Sequence, residues 1–476
     1  MYTLGSYRMH AIDTWLPPAF LAGGLNYYLP LLGAKLVTAL SDVAYTPVLH
    51  VIVARLLTVV GLGASTPVVI WRIGVRFVDP RVGVTAALVA TLSPMALGLS
   101  RIHYPDHYLP FFAAALLYCA WALIRSPRAL GWYVACGALV GVLVSVKYTG
   151  GLFALLLLAA HVLRAREQRS VRALFAPELA LAGLVGLATF VVANPFVVIE
   201  YPSFLAALRF HREHYGAGHV GLEALNGYRF HAELLLLTSF GVLGALPWLL
   251  GLVRSLRSWE RLLLLALPPL AYVLLLGSYK AAINRNVSGV LPMVFLTMGI
   301  GIAYLLERSA RVPAVRVAIV ALLLAEPLAR TGWSLANDFQ PDGRAAAARW
   351  LSANVPHGSA VGFSAACWGL PVNPKEFDLR LYAMPARLAP GECLDYYVMD
   401  SWFYEHYGPG NSVFAVPVYA EHVFLNTGGV SYVAIRRAQD AFLAGFTAVK
   451  TFDARGHYGP TVTVYRSNRP CAGTRH

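Results

Sequence analysis

Charged residues are scarce in this chain, and acidic residues are scarcer than basic ones. Only 13% of the 476 residues are charged, 58% are hydrophobic, and 24 Asp and Glu stand against 38 Lys and Arg. An ordinary soluble domain carries about twice this share of charge, so the composition excludes that class and predicts a polytopic membrane protein. The basic excess lies mostly in short loops between apolar runs, which indicates membrane topology rather than nucleic-acid binding.

Several motifs of known chemistry are missing. The sequence has no Walker A motif, no GxGxxG after a predicted strand, no HExxH and no Asp-x-Asp. A nucleotide-sugar donor is therefore not predicted. The five cysteines include no CxxC pair, and no metal site is predicted. Cys119 and Cys136 lie in apolar stretches and are expected to be packing residues. Cys367 and Cys393 could form a disulfide in an oxidising compartment, a pairing that the sequence leaves open.

Long apolar runs dominate the rest of the chain. A bilayer core of about 30 Å needs roughly 20 apolar residues per helix. We predict ten spans, at residues 47–76, 82–99, 105–125, 131–148, 150–163, 174–198, 231–254, 259–276, 284–306 and 312–330. The expected fold class is a mainly α, polytopic transmembrane bundle over residues 47–330.

Short arginine-rich loops alternate with loops that have few basic residues. The arginines of the first set are Arg72, Arg76, Arg81, Arg125, Arg128, Arg164, Arg166, Arg169, Arg172, Arg254, Arg257, Arg261, Arg308, Arg311 and Arg316. These loops are predicted to be cytoplasmic because basic loops are retained on that side. The other loops, the first 46 residues and everything after about 331 are then predicted on the outer face of the cytoplasmic membrane.

The two ends of the chain differ from the bundle. Residues 1–46 have no signal-peptide pattern, and we interpret them as part of a first external loop with an amphipathic helix. Residues 331–476 are predicted to form a small α/β domain. In it, DGRAAAARWLSANVPHGSAVGF reads as a helix, a turn and a strand, and DYYVMDS, SYVAIRR and TVTVYRS read as further strands.

Asp106 is the first candidate for a functional residue. It lies between His103 and His107 where the apolar run 105–125 begins, and ionisable residues at such positions are functional candidates by default. The alternative is a helix-start carboxylate, which the helix dipole favours. The two histidines could bind a ligand, act as a base or be interfacial polar residues, and the absence of a nearby third ligand disfavours a metal site.

Basic residues on the predicted outer face form a second group of candidates. Lys147 ends a span, and a snorkelling lysine is the favoured interpretation. Lys280 and Arg285 lie five residues apart between two spans, where the topology gives no reason for them. Two such cations suit a phosphate group, and contact with lipid headgroups is the alternative.

The segment 199–230 is the longest predicted loop between spans. It contains aromatic residues and the tract GAGHVG with His219. Long loops of this kind tend to be functional, although its first half could instead be an amphipathic helix on the membrane surface.

Four stretches together resemble the membrane-embedded GT-C glycosyltransferases of family 39, the protein O-mannosyltransferase and aminoarabinose transferase type. They are PPAFLAGGLNYYLPLLGAKL, the pair LHVIVARLLTVVGLGASTPVVIWRIGVRF and AALVATLSPMALGLSRIHYPDHYLPFF, then ANPFVVIEYPSFLAALRFHREHYGAGHVG, and AAAARWLSANVPHGSAV. Each likeness is loose, and together they cover most of the chain.

The resemblance implies an enzyme that transfers a sugar from a polyprenyl-phosphate donor to an acceptor hydroxyl on a protein, lipid or glycan. The high Ala, Leu, Val and Arg content fits a GC-rich bacterial genome. A carboxylate would deprotonate the acceptor, the anomeric carbon would be inverted, and the lipid phosphate would leave. The donor is a substrate, and neither a cofactor nor a metal is expected. A phosphate-binding role is implied for Lys280 and Arg285, and a substrate-binding role for His103, His107, Lys147 and His219.

The implied catalytic carboxylates are Asp106 and Asp13. Asp106 matches the second acidic residue of the family by position. The principal acidic pair of the family should precede PPAFLAGGLNYYL, and there Asp13 is the one acidic residue, in a sequence context that does not match. The chain is expected to start inside the first external loop of the family, and a protein that truly lacks that loop would be inactive.

Two non-catalytic readings remain alternatives. One is a permease that binds a lipid phosphate or a sugar without transfer, and the other is a membrane scaffold. Transporters usually carry repeated halves with corresponding broken helices, and the sequence shows no such symmetry.

Overall fold

The computed structural model describes residues 23–100, 104–217, 226–280, 283–338, 342–364, 370–382, 386–401, 432–453 and 461–471. Asp13, His103, His219 and Cys367 lie outside these ranges. The α-helices are Leu25–Leu40, Pro47–Leu56, Ser65–Ile73, Pro80–Leu92, Pro94–Ser100, Leu109–Arg125, Leu130–Val146, Ala154–Glu167, Pro177–Ala193, Phe196–Ile199, Tyr201–Ala217, Gly227–Glu233, Ala245–Ser255, Trp259–Arg261, Leu267–Gly277, Leu291–Arg308, Pro313–Asp338, Gly343–Asn354 and Tyr432–Leu443.

Shorter helical turns join several of these helices into longer rods. The 3₁₀ turns are Pro105–His107, Tyr148–Phe153, Val171–Phe175, Val242–Gly244 and Asn284–Val290, and the π turns are Leu57–Gly63, Gly74–Val78, Leu234–Thr238 and Leu262–Ala266. Five α-helices begin at proline, whose fixed φ and missing N–H suit the first helical position.

Six helices in the described part of the chain are long and apolar enough to cross a membrane. They are Leu49–Val78, Pro105–Arg125, Tyr148–Glu167, Val171–Ala193, Trp259–Gly277 and Asn284–Arg308. Two bent pairs, Pro80–Leu92 with Pro94–Ser100 and Gly227–Thr238 with Val242–Ser255, raise the count to eight. Helices also occupy the other two predicted spans, at Leu130–Val146 and Pro313–Asp338, so the expected multi-pass helical bundle is confirmed.

The helix Leu291–Arg308 lies at the centre of the bundle. Its glycines let neighbouring backbones come close, since a Cβ at Gly301 would collide with the Pro247 carbonyl and one at Gly251 with the Thr297 carbonyl. Small residues are typical of such contacts because helix association in a membrane depends on close packing. The helices Leu130–Val146 and Pro177–Ala193 pack in the same way through Gly137, whose Cβ would collide with the Ala182 carbonyl.

Asn194 ties the first described helix, Leu25–Leu40, to the bundle. Its side-chain oxygen accepts from the Gly24 N–H, and its amide nitrogen donates to Ser145 Oγ at 2.8 Å. Asn194, in the stretch ANPFVVIE that resembles the family, is therefore a buried residue whose side chain links its own segment to Gly24 and to Ser145.

A five-stranded sheet lies in the C-terminal region, where the sequence predicts a small α/β domain. Its strands are β1 (Ala360–Ser364), β2 (Asp378–Tyr382), β3 (Tyr396–Asp400), β4 (Phe446–Phe452) and β5 (Val462–Ser467), in the order β2-β1-β3-β5-β4. The β1–β2 and β1–β3 pairs are parallel, with Ala360 opposite Asp378, and the two pairs of β5 are antiparallel. Alternating side chains of β3 face two cores, one containing Leu351 of helix Gly343–Asn354 and one with Phe442 of helix Tyr432–Leu443 packed against it.

One strand prediction is wrong. The stretch SYVAIRR contributes its residues from Tyr432 onward to the helix Tyr432–Leu443. Its valine and isoleucine favour a strand, but the good helix formers that follow extend the segment to 12 residues, and Gln439 is buried against the sheet.

The structure also decides the cysteine pairing that the sequence leaves open, because Cys393 forms a disulfide with Cys471 and not with Cys367. The buried Asp395 carboxylate explains the proximity, since its oxygens accept from the backbone N–H of Ala360 and of Cys471, both at 2.9 Å. Cys119 and Cys136 are free thiols within the described residues, and Cys136 is fully buried.

Candidate functional site

Three helix ends meet at one end of the bundle and bring polar side chains together. Asp106 lies on the 3₁₀ turn Pro105–His107 that precedes helix Leu109–Arg125, and Lys147 immediately follows helix Leu130–Val146. Arg285 lies on the 3₁₀ turn Asn284–Val290 that precedes helix Leu291–Arg308. Pro105 begins the first of these turns, and Pro292 lies in the first turn of helix Leu291–Arg308, so Asp106 and Arg285 stand at the start of apolar helices.

A buried ion pair between Asp106 and Lys147 is the centre of this cluster. Lys147 Nζ lies 2.5 Å from Asp106 Oδ1, and the Asp106 side chain is only 4% exposed. Lys147 is 16% exposed, so its ammonium group points into the protein. The favoured snorkelling interpretation of Lys147 is therefore wrong, because a buried carboxylate holds the charge inside.

Arg285 supplies the second cation. Its Nε lies 3.5 Å from Asp106 Oδ2, and its guanidinium group stacks over the Tyr104 ring at 4.5 Å. Burial is the largest influence on Tyr104 and raises the pKa of its phenol, so the ring stays neutral beneath the cation. The Arg285 side chain keeps 31% exposure, so it is accessible to a ligand.

Asn286 and Ser288 complete the cluster, and neither is selected as a site residue by sequence reasoning. Asn286 Oδ1 accepts from Lys147 Nζ at 2.7 Å, and Ser288 Oγ donates to the Asp106 carbonyl at 2.6 Å. Both side chains are buried, and the Asn286 amide nitrogen has no hydrogen-bond partner among the described residues. The polar tract NRNVS inside an otherwise apolar stretch was the available signal.

His107 lies between the charge cluster and an apolar cavity. Its Nδ1 accepts from the Tyr104 N–H at 3.3 Å, which closes the turn around Asp106. His107 and Ser288 also line a cavity of about 310 Å³, whose other walls include Leu97, Leu99 and Phe295. A charged cluster and an apolar cavity are thus adjacent.

The structure does not bring all the predicted site residues together. Asp106, Lys147, Arg285 and His107 share the cluster, whereas Lys280 is exposed and has no ion-pair or hydrogen-bond partner in the described residues. Asp13, His103 and His219 fall outside those residues. Within the described part of the chain, no group of three His, Cys, Asp or Glu side chains could hold a metal ion.

The predicted loop 199–230 is helical in its first half. The helix Tyr201–Ala217 lies near the cluster, with Phe204 against Tyr148 at 5.7 Å and Tyr215 against Tyr279 at 5.8 Å between ring centroids. Tyr148 directly follows Lys147, so this helix borders the end of the bundle that carries the cluster.

Residues 34–195 match the family described as dolichyl-phosphate-mannose-protein mannosyltransferase, and this segment contains both Asp106 and Lys147. The structure of ArnT from Cupriavidus metallidurans bound to undecaprenyl phosphate is similar over 96% of this chain and 92% of that chain, at 16% identity and a TM-score of 0.53. The chain has the GT-C fold. The structure of the same ArnT in the apo state is similar with a TM-score of 0.51 at 15% identity, over 94% of this chain and 88% of that chain.

The predicted GT-C fold is confirmed by this similarity, and residues 34–195 match a glycosyltransferase family, in agreement with the sequence-based prediction. The oligosaccharyltransferase AglB from Archaeoglobus fulgidus is a weaker structural match, with a TM-score of 0.46 at 12% identity over 81% of this chain and 62% of that chain. No curated protein matches the GT-C chain by sequence.

Proposed function

We propose that this GT-C protein transfers a sugar from a polyprenyl-phosphate donor to an acceptor hydroxyl at the outer face of a bacterial cytoplasmic membrane, with inversion. The observation that carries the proposal is the buried cluster in which Lys147 and Arg285 flank the single carboxylate of Asp106. Two cations around one carboxylate leave a net positive charge, which suits an anionic phosphate.

The adjacent cavity fits the lipid part of such a donor. Its walls are mostly apolar, and it reaches the cluster through His107 and Ser288. A phosphate beside Lys147 and Arg285 would place the first isoprenoid units at this cavity. The ArnT structure that shares the fold is bound to undecaprenyl phosphate, a ligand with a phosphate group and an isoprenoid chain.

The proposed reaction is a single displacement. The acceptor oxygen attacks the anomeric carbon from the face opposite the phosphate, the bond from that carbon to the phosphate oxygen breaks, and the acceptor proton passes to a base. Lys147 and Arg285 stabilise the negative charge that develops on the leaving phosphate, and the low-dielectric surroundings strengthen this effect.

Asp106 acts chiefly by positioning the two cations. Both of its oxygens already face a cation, and its backbone carbonyl is fixed by Ser288. Asp13 stays the candidate base, and His107 the candidate contact to the substrate. Lys280 remains a candidate for binding the donor phosphate. Because its side chain is exposed, it would contact the phosphate from the solvent side and not from the buried cluster.

Two further observations support the outer side for the C-terminal region. The Cys393–Cys471 disulfide suits an oxidising compartment, and the arginine-rich loops lie at the helix ends opposite Asp106. The acceptor is proposed to be a hydroxyl of a protein, a lipid or a glycan.

Transfer from a panel of undecaprenyl-phosphate sugars tests the proposal. Asp106→Asn in proteoliposomes should lower turnover by about 100-fold or more, because Lys147 and Arg285 lose their anchor. Asp79→Asn is the matched control, since Asp79 caps a helix at the opposite end and an Asn keeps that cap. Equal turnover in the two variants would remove Asp106 from the mechanism.

Arg285→Gln provides a second test that leaves both members of the Asp106–Lys147 pair in the protein. Undecaprenyl phosphate should bind about tenfold more weakly, as expected for loss of one charge-assisted contact. Arg72→Gln, which removes a cation at the opposite end, should leave binding unchanged. A wild-type protein that binds undecaprenyl phosphate but transfers none of the sugars tested would favour the permease alternative.

A further inference from the structure

A polar cavity of about 520 Å³ lies at the end of the bundle opposite Asp106. Its walls include Arg166, Arg169, Arg257 and Trp259. Helix Leu109–Arg125 leads from the Asp106 end to this one, and its 17 residues at about 1.5 Å each separate the two by about 25 Å. The cavity is therefore distinct from the proposed catalytic site.

The charges in this cavity are unbalanced. Glu260 in its wall is already held by Arg125, whose Nη2 lies 2.9 Å from both carboxylate oxygens. Glu167 is the other acidic residue of the wall. The cavity thus presents three guanidinium groups against one carboxylate that is not already held by an arginine, and an anion would balance them.

Arg169 holds an unusual backbone conformation at the rim. Its φ is 50°, and it is the one non-glycine residue with positive φ in the described parts of the chain. The N–H of Ser170 donates to the Ala165 carbonyl at 3.2 Å, so Arg169 fills the left-handed position that ends a helix. Glycine is usual there, and another residue costs roughly 1 kcal/mol. Keeping an arginine at that cost indicates a use for its side chain.

Trp259 gives the cavity the character of a membrane boundary. The ring is 58% exposed, and the Arg166 guanidinium group lies 5.5 Å from its centroid. Tryptophan is enriched at the level of lipid headgroups, and a stacked arginine there keeps its donors directed sideways. The floor of the cavity is apolar, with Ile124 and Leu163 buried.

We propose that this cavity binds the phosphate headgroup of an anionic phospholipid from the leaflet at that end of the bundle. Arg166, Arg169 and Arg257 contact the phosphate, and Trp259 lies beside the glycerol region. Basic pockets between transmembrane helices are suited to such headgroups, because phosphate charge and guanidinium forks are complementary. Charge complementarity and the position at a helix end favour a membrane lipid as the occupant.

Phosphatidylglycerol binding to the purified full chain, measured by native mass spectrometry, tests this site. The triple variant Arg166→Gln/Arg169→Gln/Arg257→Gln should lose about tenfold or more in affinity. The matched control Arg72→Gln/Arg128→Gln/Arg311→Gln removes the same charge from the same set of loops, but none of its residues lines the cavity. It should lose less than about threefold, and equal losses would show diffuse attraction and overturn the proposal.

Two probes separate the lipid from other sources of the same chemistry. Phosphatidylcholine should bind weakly to wild type and to both variants. Inorganic phosphate at millimolar concentration should not displace phosphatidylglycerol, and efficient displacement would assign the cavity to a free anion.

Arg169→Gly distinguishes ligand binding from a structural role. Glycine relieves the left-handed strain, so the melting temperature should stay the same or rise, while phosphatidylglycerol binding should weaken by severalfold. Unchanged binding in this variant would remove Arg169 from the site.

Discussion

At the scale of single residues, the Asp106–Lys147 pair decides how the site is built. Both side chains are largely withdrawn from water, and each neutralises the other. Removing one partner of such a pair leaves an uncompensated charge and costs about 3–5 kcal/mol, whereas replacing both can be nearly neutral. The pair is therefore expected to be a structural requirement in addition to its proposed role in binding the donor phosphate.

Lys147→Met should lower the melting temperature of the purified protein sharply, because Asp106 keeps Arg285 as its one remaining close cation. The double variant Asp106→Asn/Lys147→Met should recover much of that loss, although it should not recover sugar transfer. Thermal unfolding of the two variants in one detergent provides the comparison. A double variant less stable than Lys147→Met would contradict the buried-pair account.

At the scale of elements, glycine contacts set the distance between helices at the core. The central helix Leu291–Arg308 meets helix Ala245–Ser255 where Gly301 faces Pro247 and Gly251 faces Thr297. Helix Leu291–Arg308 leads directly from the turn that holds Arg285. A displacement of this helix would therefore shift Arg285 relative to Asp106.

Gly301→Val should reduce both the yield of folded protein and its melting temperature, since the new side chain collides with backbone that cannot yield without separating the helices. Gly183→Val is the matched control, because a Cβ at Gly183 meets nothing within 4 Å. Size-exclusion profiles and melting temperatures report the outcome. Similar losses in both variants would mean that helix propensity, rather than packing, is responsible.

At the scale of the whole molecule, the topology is the assumption that links the site to its substrate. The predicted sidedness places Ser278, near Lys280, on the outer face and Arg128, in the loop after helix Leu109–Arg125, in the cytoplasm. The structure puts Asp106, Lys147 and Arg285 together at one end, and helix Leu109–Arg125 connects that end to the other.

Labelling with a membrane-impermeant maleimide checks this arrangement. In a background in which Cys119, Cys136 and Cys367 are replaced, Ser278→Cys should react in intact spheroplasts, and Arg128→Cys should react only after permeabilisation. Reaction of both residues from the same side would overturn the predicted topology.

Sequence patterns predicted the helical segments and the class of fold well, because a bilayer requires long apolar runs wherever the chain crosses it. They did not predict the partners of Lys147, since Asp106 and Asn286 are 41 and 139 residues away along the chain. Only packing brings such residues together. The Cys393–Cys471 bond was missed for the same reason, since the two cysteines are 78 residues apart. They come together only in the folded sheet, where Asp395 accepts a hydrogen bond from the Cys471 N–H.

The Cys393–Cys471 bond makes the C-terminal sheet sensitive to the compartment in which it folds. A chain inserted in reverse would deliver both thiols to a reducing cytosol, where the bond would not persist. Its sheet would lose the link between the segment before β3 and the one after β5, and proteases would reach the loosened strands. In the proposed orientation, oxidation of this cysteine pair would therefore stabilise the sheet only in molecules whose C-terminal region lies outside the cytosol.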